Sequence, residues 1–279
     1  MQITASTKIA ALIGHPVGHS LSPVMHNHLY EKLDLDMAYL AFDVPPDQVV
    51  AAVDGLRALG CIGFNVTIPH KEAVYSLLDH IDENARVIGA VNTVKIDSGV
   101  LSGYNTDGPG FIQSLKNMGY SIKGKKTVII GAGGSARAIG VYAAKEDPES
   151  ILILNRTHEK AEVLAGLINE FKGRQLAGAV HEIPGDADII INTTKLGMWP
   201  DINGNPLEGH KLDSRTVVCD IVYNPRQTAM LKYAQAQGCK TCGGLSMLIC
   251  QGLRAVEIWL GYSLPGDSWQ IMNEAANVL

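Results

Sequence analysis

The strand-like run Thr127-Val128-Ile129-Ile130 passes directly into Gly131-Ala132-Gly133-Gly134-Ser135-Ala136, and a helical stretch follows to about Ala144. A strand that ends in G-x-G-x-x-A and opens a helix commits the surrounding chain to a βα unit of the dinucleotide-binding kind. Gly131 permits a tight turn, Gly133 lets the backbone approach a pyrophosphate, and Ala136 allows the helix to pack closely on the sheet. The N–H groups of Ala132, Gly134 and Ser135 lie where a helix start offers donors to an anion. Glycine turns also serve plain βα connections, and the placement after an apolar strand favours the nucleotide.

The rest of the chain agrees with that commitment. Short continuous apolar runs at 127–130, 151–154, 189–191 and 217–222 have the pattern of strands buried on both faces of a parallel sheet. Upstream, strands are expected at 8–13, 37–44, 61–67, 90–96 and 100–104. Between them lies a helix over 46–59 with Val49, Val50, Val53, Leu56 and Leu59 on one face. Alternating strands and helices imply an α/β architecture. A first domain is expected over residues 1–105 and a Rossmann-like, doubly wound dinucleotide-binding domain over 106–243. The tail at 244–279 holds a strong helix at 245–260, expected to return to the first domain and cap the cleft between the two.

Totals exclude several classes. The 279 residues suffice for two modest cores. A net charge of −5 gives no basic patch for nucleic acid, and no apolar run is long enough to cross a bilayer. Five cysteines at irregular spacing, with Cys239 and Cys242 forming an unaccompanied C-x-x-C pair, read as reduced thiols of a cytoplasmic protein. His15, His19, His26 and His28 crowd the amino terminus in no standard zinc spacing, so no metal is expected.

The strand at 151–154 ends in Asn155-Arg156-Thr157, about twenty residues beyond the glycines, where an NAD site usually carries Asp or Glu for the ribose 2′-hydroxyl. Here the guanidinium of Arg156, the hydroxyl of Thr157 and the nearby Lys160 suit a 2′-phosphate, which makes NADP the expected cofactor and NAD a secondary one. A solvated Arg and Lys at a helix start is the plainer alternative, but cations are mildly unfavourable there.

Near the amino terminus, Gly14-His15-Pro16-Val17-Gly18-His19-Ser20-Leu21-Ser22-Pro23 places two hydroxyls, Ser20 and Ser22, between a strand and a helix. Such a turn can aim two neutral donors at one anionic group. Asn65-Val66-Thr67-Ile68-Pro69-His70-Lys71 ends a strand and is expected to start a helix; Asn92-Thr93 and Tyr104-Asn105-Thr106-Asp107-Gly108 follow. Taken alone, Lys71 is a solvated lysine, Asp107 an N-cap, Ser20 and Ser22 turn or capping residues, Asn92 a loop residue and Gln251 an exposed helix position.

Taken together, these segments resemble the shikimate dehydrogenases, including the related quinate/shikimate enzymes. The resemblance continues through Asn155-Arg156-Thr157, Asn192 to Met198, Asp220 to Pro225 and Gly244 to Gln251. It implies NADP-dependent, reversible reduction of 3-dehydroshikimate to shikimate, a step of chorismate and aromatic amino-acid biosynthesis. Lys71 is implied as proton donor and acceptor, with Asp107 as its partner. Ser20 and Ser22, with Tyr223 nearby, would hold the substrate carboxylate, and Thr67, Asn92 and Gln251 the ring hydroxyls. Ile221 and Gly244 are implied on the cofactor side. Lys195 and Tyr223-Asn224-Pro225 resemble the quinate/shikimate branch, whereas Ser22 and Thr67 suit shikimate itself. A small acid is the expected partner of a monomer or homodimer. The alternative of another class is a non-catalytic NADP-binding sensor, which an intact Lys71/Asp107 pair speaks against.

Overall fold

The computed structural model describes residues 2–277. It divides into two compact units, Met1–Thr106 with Ile249–Leu279, and Asp107–Leu248. The second division falls within one long helix, five residues beyond the start expected for the returning tail.

In chain order the first unit contains β1 (Lys8–Gly14), α1 (Ser22–Lys32), β2 (Met37–Asp43), α2 (Val49–Ala58), β3 (Gly63–Val66), β4 (His80–Ile81), α3 (Glu83–Ile88), β5 (Thr93–Asp97) and β6 (Val100–Tyr104). Its six-stranded sheet has the order β2-β1-β3-β5-β6-β4 and is mixed. β1 runs parallel to β2 and β3, while β5 is antiparallel to β3 and β6. Ile13, Phe64, Val66, Val94 and Leu101 form a core with Val49, Val53 and Leu56 of α2. The expected apolar face of α2 narrows accordingly. Val49, Val53 and Leu56, spaced i, i+4, i+7, are buried, whereas Val50 is 57% and Leu59 78% exposed. Residues 46–48 enter that helix as a 3-10 turn.

The second unit contains α4 (Asp107–Asn117), β7 (Lys126–Ile130), α5 (Gly134–Lys145), β8 (Ser150–Leu154), α6 (His158–Lys172), β9 (Ala177–Val180), β10 (Ile189–Asn192), β11 (Val217–Asp220), α7 (Ala229–Ala236) and β12 (Lys240–Cys242). Its sheet, β12-β11-β10-β7-β8-β9, is parallel throughout. Counted within this unit, that is the doubly wound order 3-2-1-4-5-6, and β7 and β10 flank the point where the winding reverses. Ile129, Ile151, Ile153 and Ile191 pack on one face of the sheet, and Val128, Ile190 and Val218 on the other. Burial on both faces is the physical reason these strands are unbroken apolar runs. The expected strand at 217–222 stops at Asp220, whose carboxylate accepts the Val222 N–H at 3.0 Å.

Two helices complete the chain, α8 (Gly244–Leu260) and α9 (Ser268–Asn277). Trp259 of α8 donates to the Val94 carbonyl of β5 at 2.9 Å, anchoring this end of the helix in the first unit. All five cysteines are free and buried. No helix among the described residues is long and apolar enough to cross a membrane.

Candidate active site

In the first unit the candidate residues are gathered by backbone pairing. Thr67 follows β3, and its N–H donates to the Ile13 carbonyl of β1 at 2.9 Å. The chain then turns. His70 N–H returns to the Thr67 carbonyl, and the Lys71 carbonyl accepts the Val91 N–H at 3.2 Å. Lys71 therefore sits in a turn instead of the helix start expected from sequence; a 3-10 helix begins only at Val74. Pro69 is one reason, since it biases Ile68 away from helical geometry. The Asn92 carbonyl accepts the Val66 N–H at 2.8 Å, so the Thr67, Lys71 and Asn92 segments adjoin.

Asn92 lies at the centre of a buried polar cluster. Its Oδ1 accepts the Thr106 N–H at 2.8 Å and the Thr93 hydroxyl at 3.1 Å. Its Nδ2 donates to Thr106 Oγ1 at 3.0 Å and to Gln251 Oε1 at 3.4 Å. Two candidates 159 positions apart in sequence thus meet. Asn65, on β3, donates from Nδ2 to the Asn92 carbonyl at 3.2 Å and to Thr93 Oγ1 at 3.0 Å. Sequence alone assigns no role to Asn65 or Thr106. The available signal was a polar side chain inside the apolar run Phe64-Asn65-Val66, because a buried amide requires partners. Three amides and two hydroxyls with most hydrogen bonds made internally form a stiff, largely buried polar cluster.

Ser20 and Ser22 lie at the start of α1. Ser20 Oγ accepts the Ser22 N–H at 3.2 Å, a local capping contact, and Ser22 is buried. Of the histidines nearby, His15 places Nδ1 2.6 Å from Asp43 Oδ1, and His26 is wholly buried.

In the second unit the candidates stand at the carboxyl ends of the parallel strands. Gly131 follows β7 with φ +113° and donates its N–H to the Leu154 carbonyl at 2.8 Å, tying the glycine turn to the end of β8. A side chain there would also run into Thr193 Oγ1. Gly133 is the N-cap of α5, and no side chain caps that helix. Its first-turn N–H groups, including those of Gly134 and Ser135, are left without a protein side-chain acceptor at this cap. A Cβ added at Gly133 would meet no protein atom, so protein packing does not demand glycine there, and a pyrophosphate brought against the helix start would. Ala132 lies between these glycines, and Ala136 is buried against the sheet.

Asn155, Arg156 and Thr157 follow β8. Asn155 Nδ2 donates to the Thr157 carbonyl at 2.8 Å, closing a turn that leaves Arg156 exposed. Thr157 is the N-cap of α6, and Lys160 is exposed in its first turn. Ile221 N–H donates to the Asn192 carbonyl at 3.1 Å, and Gly244 N–H to the Val222 carbonyl at 3.3 Å. Asp220 is buried and organises both loops: it accepts from Asn192 Nδ2 at 3.0 Å and from Thr228 Oγ1 at 2.7 Å. Burial pushes its carboxyl above the usual range, against the pull of those hydrogen bonds. Tyr223, half-buried, is likewise pushed up by burial.

Asp107 opens α4 and is buried. It directly follows Thr106, whose backbone N–H is held by Asn92. A Cβ on the next residue, Gly108, would lie 2.6 Å from the Ala138 carbonyl, so α4 approaches α5 too closely for any side chain at that position.

Two family models match the chain. The shikimate dehydrogenase substrate-binding domain covers residues 12–94. The shikimate/quinate 5-dehydrogenase model covers residues 113–229. A shikimate dehydrogenase (NADP(+)) of Caldanaerobacter subterraneus subsp. tengcongensis is 47% identical over 96% of both chains. A crystal structure of a shikimate dehydrogenase in complex with NADP+ superposes with a TM-score of 0.93 at 44% identity, covering 99% of this chain and 97% of that one. The ligand-free 5-ketofructose reductase of Gluconobacter sp. strain CHM43 superposes with a TM-score of 0.86 at 39% identity, over 99% and 100% of the two chains.

Proposed function

This chain belongs to the shikimate dehydrogenase family, and we propose that its Lys71 and Asp107 carry the proton transfer of a reversible reduction of 3-dehydroshikimate to shikimate. It is an NADP-dependent oxidoreductase, serving chorismate and aromatic amino-acid biosynthesis. The non-catalytic sensor is set aside by relatives named as enzymes over nearly the whole chain.

Bound NADPH supplies the hydride. As it reaches the carbonyl carbon, negative charge grows on the oxygen. An ammonium at Lys71 stabilises that charge and gives up the proton, and in the oxidative direction the amine takes it back. Asp107 orients Lys71 and favours its charged form. Ser20 and Ser22 hold the substrate carboxylate with Tyr223 beside it, and Thr67, Asn92 and Gln251 read the ring hydroxyls. The meeting of Asn92, Thr106 and Gln251 in one hydrogen-bonded cluster, adjoining the Lys71 turn, is the observation that carries this reading. A site built of paired amides and hydroxyls discriminates strongly against analogues lacking a hydroxyl.

On the cofactor side the turns after β7 and β8 suit NADP, with Arg156, Thr157 and Lys160 on the 2′-phosphate. Lysine at 160 is a weaker fork than arginine, so NAD is the secondary cofactor. Quinate is the second substrate reading, favoured by Lys195 and Tyr223-Asn224-Pro225. The 5-ketofructose reductase neighbour supports such breadth. The protein's partners are small molecules rather than nucleic acid or membrane, its place is the cytoplasm, and it works as a monomer or homodimer.

Steady-state kinetics with shikimate and quinate against NADP and NAD test the substrate and cofactor readings. We expect the highest kcat/KM for shikimate with NADP. No nicotinamide reduction with either acid would refute the substrate reading.

A further inference from the structure

The turn that carries Lys71 inverts the usual order of burial. Ile68 is 48% exposed, and Pro69, Glu72 and Ala73 are exposed as well, whereas the polar His70 is only 1% exposed. A buried polar side chain beside an exposed apolar one is the informative departure, because a buried imidazole requires a partner. The partner is the Val44 carbonyl, 26 positions away, which accepts from His70 Nε2 at 2.7 Å. A carbonyl only accepts, so the bond places a ring hydrogen on Nε2.

Val44 is a fixed anchor. It packs in the core with Ile13, Val49 and Val53, and its N–H donates to the Gly14 carbonyl at the end of β1 at 2.9 Å. Pro45 and Pro46 follow, and their rings fix φ, so the Val44 carbonyl has little freedom to turn away. Backbone bonds hold the two ends of the turn. At one end the Thr67 N–H is bound to Ile13, and the Ile68 carbonyl accepts the His15 N–H at 3.0 Å. At the other, the His70 carbonyl accepts the Val74 N–H at 2.9 Å, and the Lys71 carbonyl accepts the Val91 N–H at 3.2 Å. The His70 side chain ties the middle of the turn to the residue that follows β2. Lys71 is the next residue, so the direction in which its side chain leaves the backbone depends on that tie.

Building on the assignment of Lys71 to the proton transfer, we propose that His70 is a positioning residue for the reaction: its bond to Val44 fixes the turn from which the Lys71 ammonium reaches the substrate oxygen. It acts through Lys71 and not on the substrate. A lysine ammonium sits on a flexible four-carbon stem, so it is placed only as well as the backbone beneath it. Proton transfer needs heavy atoms within about 2.6–3.2 Å, and a displacement of about 1 Å lowers a rate on the order of a hundredfold. Without the imidazole N–H, the Val44 carbonyl loses its partner in a buried place, and the turn is free to move.

The test is steady-state kinetics of the full enzyme with shikimate and NADP, well below the thermal midpoint of each variant. His70→Phe keeps a ring and removes the donor, whereas His70→Gln keeps an N–H donor of similar reach. His70→Phe should lower kcat and kcat/KM together, about tenfold to a hundredfold, with the KM for shikimate and for NADP changed about twofold or less. His70→Gln should recover most of that loss. In a Lys71→Ala background His70→Phe should add about twofold or less, because the residue it positions is already gone. A full further loss in that background would overturn the proposal. So would a lower thermal midpoint with kcat unchanged, which marks a merely structural histidine. If His70→Phe does not fold, His70→Asn, whose amide is too short to reach Val44, takes its place and the same outcomes decide. Lys71→Ala at a near-normal rate would overturn the proposal by another route, since it removes Lys71 from the chemistry and leaves His70 nothing to position.

Discussion

The two units build their candidate sites from different parts of the chain. In the Asp107–Leu248 unit the parallel sheet ends in a row of turns, and several of the residues proposed for the cofactor would act through backbone: Gly131, the start of α5, and Gly244 at the start of α8. In the other unit the sheet is mixed, and the candidate site consists of side chains drawn from the start of α1, β3 and the turn after it, the segments flanking β5 and β6, and α8. At Gly131 and Gly244 an added Cβ would collide with Thr193 and with the Ile221 carbonyl, whereas in the Asn92 cluster a removed side chain leaves buried partners unmatched. A helix start and a glycine turn bind a phosphate through groups every residue possesses. A polyol acid offers hydroxyls at particular angles, and only side chains fixed by a network can meet them.

The sharpest way to break this contrast is to remove one side chain from the first unit. Lys71→Ala should lower kcat by a factor of about 10²–10⁴, the usual weight of a general acid–base group, while substrate affinity changes much less. Stopped-flow or steady-state rates with shikimate check it, and a near-normal rate would take Lys71 out of the chemistry. The mirror experiment adds one methyl to the second unit. Gly131→Ala forces a side chain onto φ +113° and against Thr193, and should cost about 2–4 kcal/mol in urea unfolding along with NADP binding. Parental stability in the Gly131→Ala variant would show that the turn can yield.

Arg156 tests where the contrast stops, because a 2′-phosphate is the one part of the cofactor that a side chain is expected to read. Arg156→Ala should weaken NADP about tenfold to a hundredfold and NAD by about twofold or less, measured by nicotinamide fluorescence titration. Equal losses for both cofactors would remove the phosphate contact. A further effect concerns stability. Burial lowers the His26 pKa from 6.5 to about 3, so this imidazole is neutral in the folded protein. Below pH 6.5 the unfolded chain takes up a proton that the folded one refuses. Stability is thus full above that pH and falls toward pH 3, by about 1.4 kcal/mol per unit at the steepest. His26→Gln should flatten that part of the acid limb, read from denaturant midpoints at about pH 7 and about pH 5. An unchanged slope would mean that His26 is hydrated in the folded state.

The same contrast explains what could be read in advance. Strands β7, β8, β10 and β11 stood out because burial on both faces demands unbroken apolar runs. β9, with the sequence Ala-Gly-Ala-Val, and β12, with Lys-Thr-Cys, did not: they are the outer strands of the sheet and pair on one side only. The two-residue β4 escaped for the same reason at the border of the other sheet. The turn at Lys71 was misread as a helix start because apolar periodicity resumes just beyond it, and Val74 packs in the core as a helical residue would.

Sequence by itself determined the α/β class, the glycine turn, the cationic residues after β8 and the family, because each depends on neighbours within a few positions or on motifs in a given order. Only the tertiary structure decided that Asn92 meets Gln251 across 159 positions, that Asn65 joins them, and that Tyr39 donates to Asn65. Hydrogen bonds between side chains depend on distance and angle in space, and those follow from strand order and helix packing, which no local spacing records.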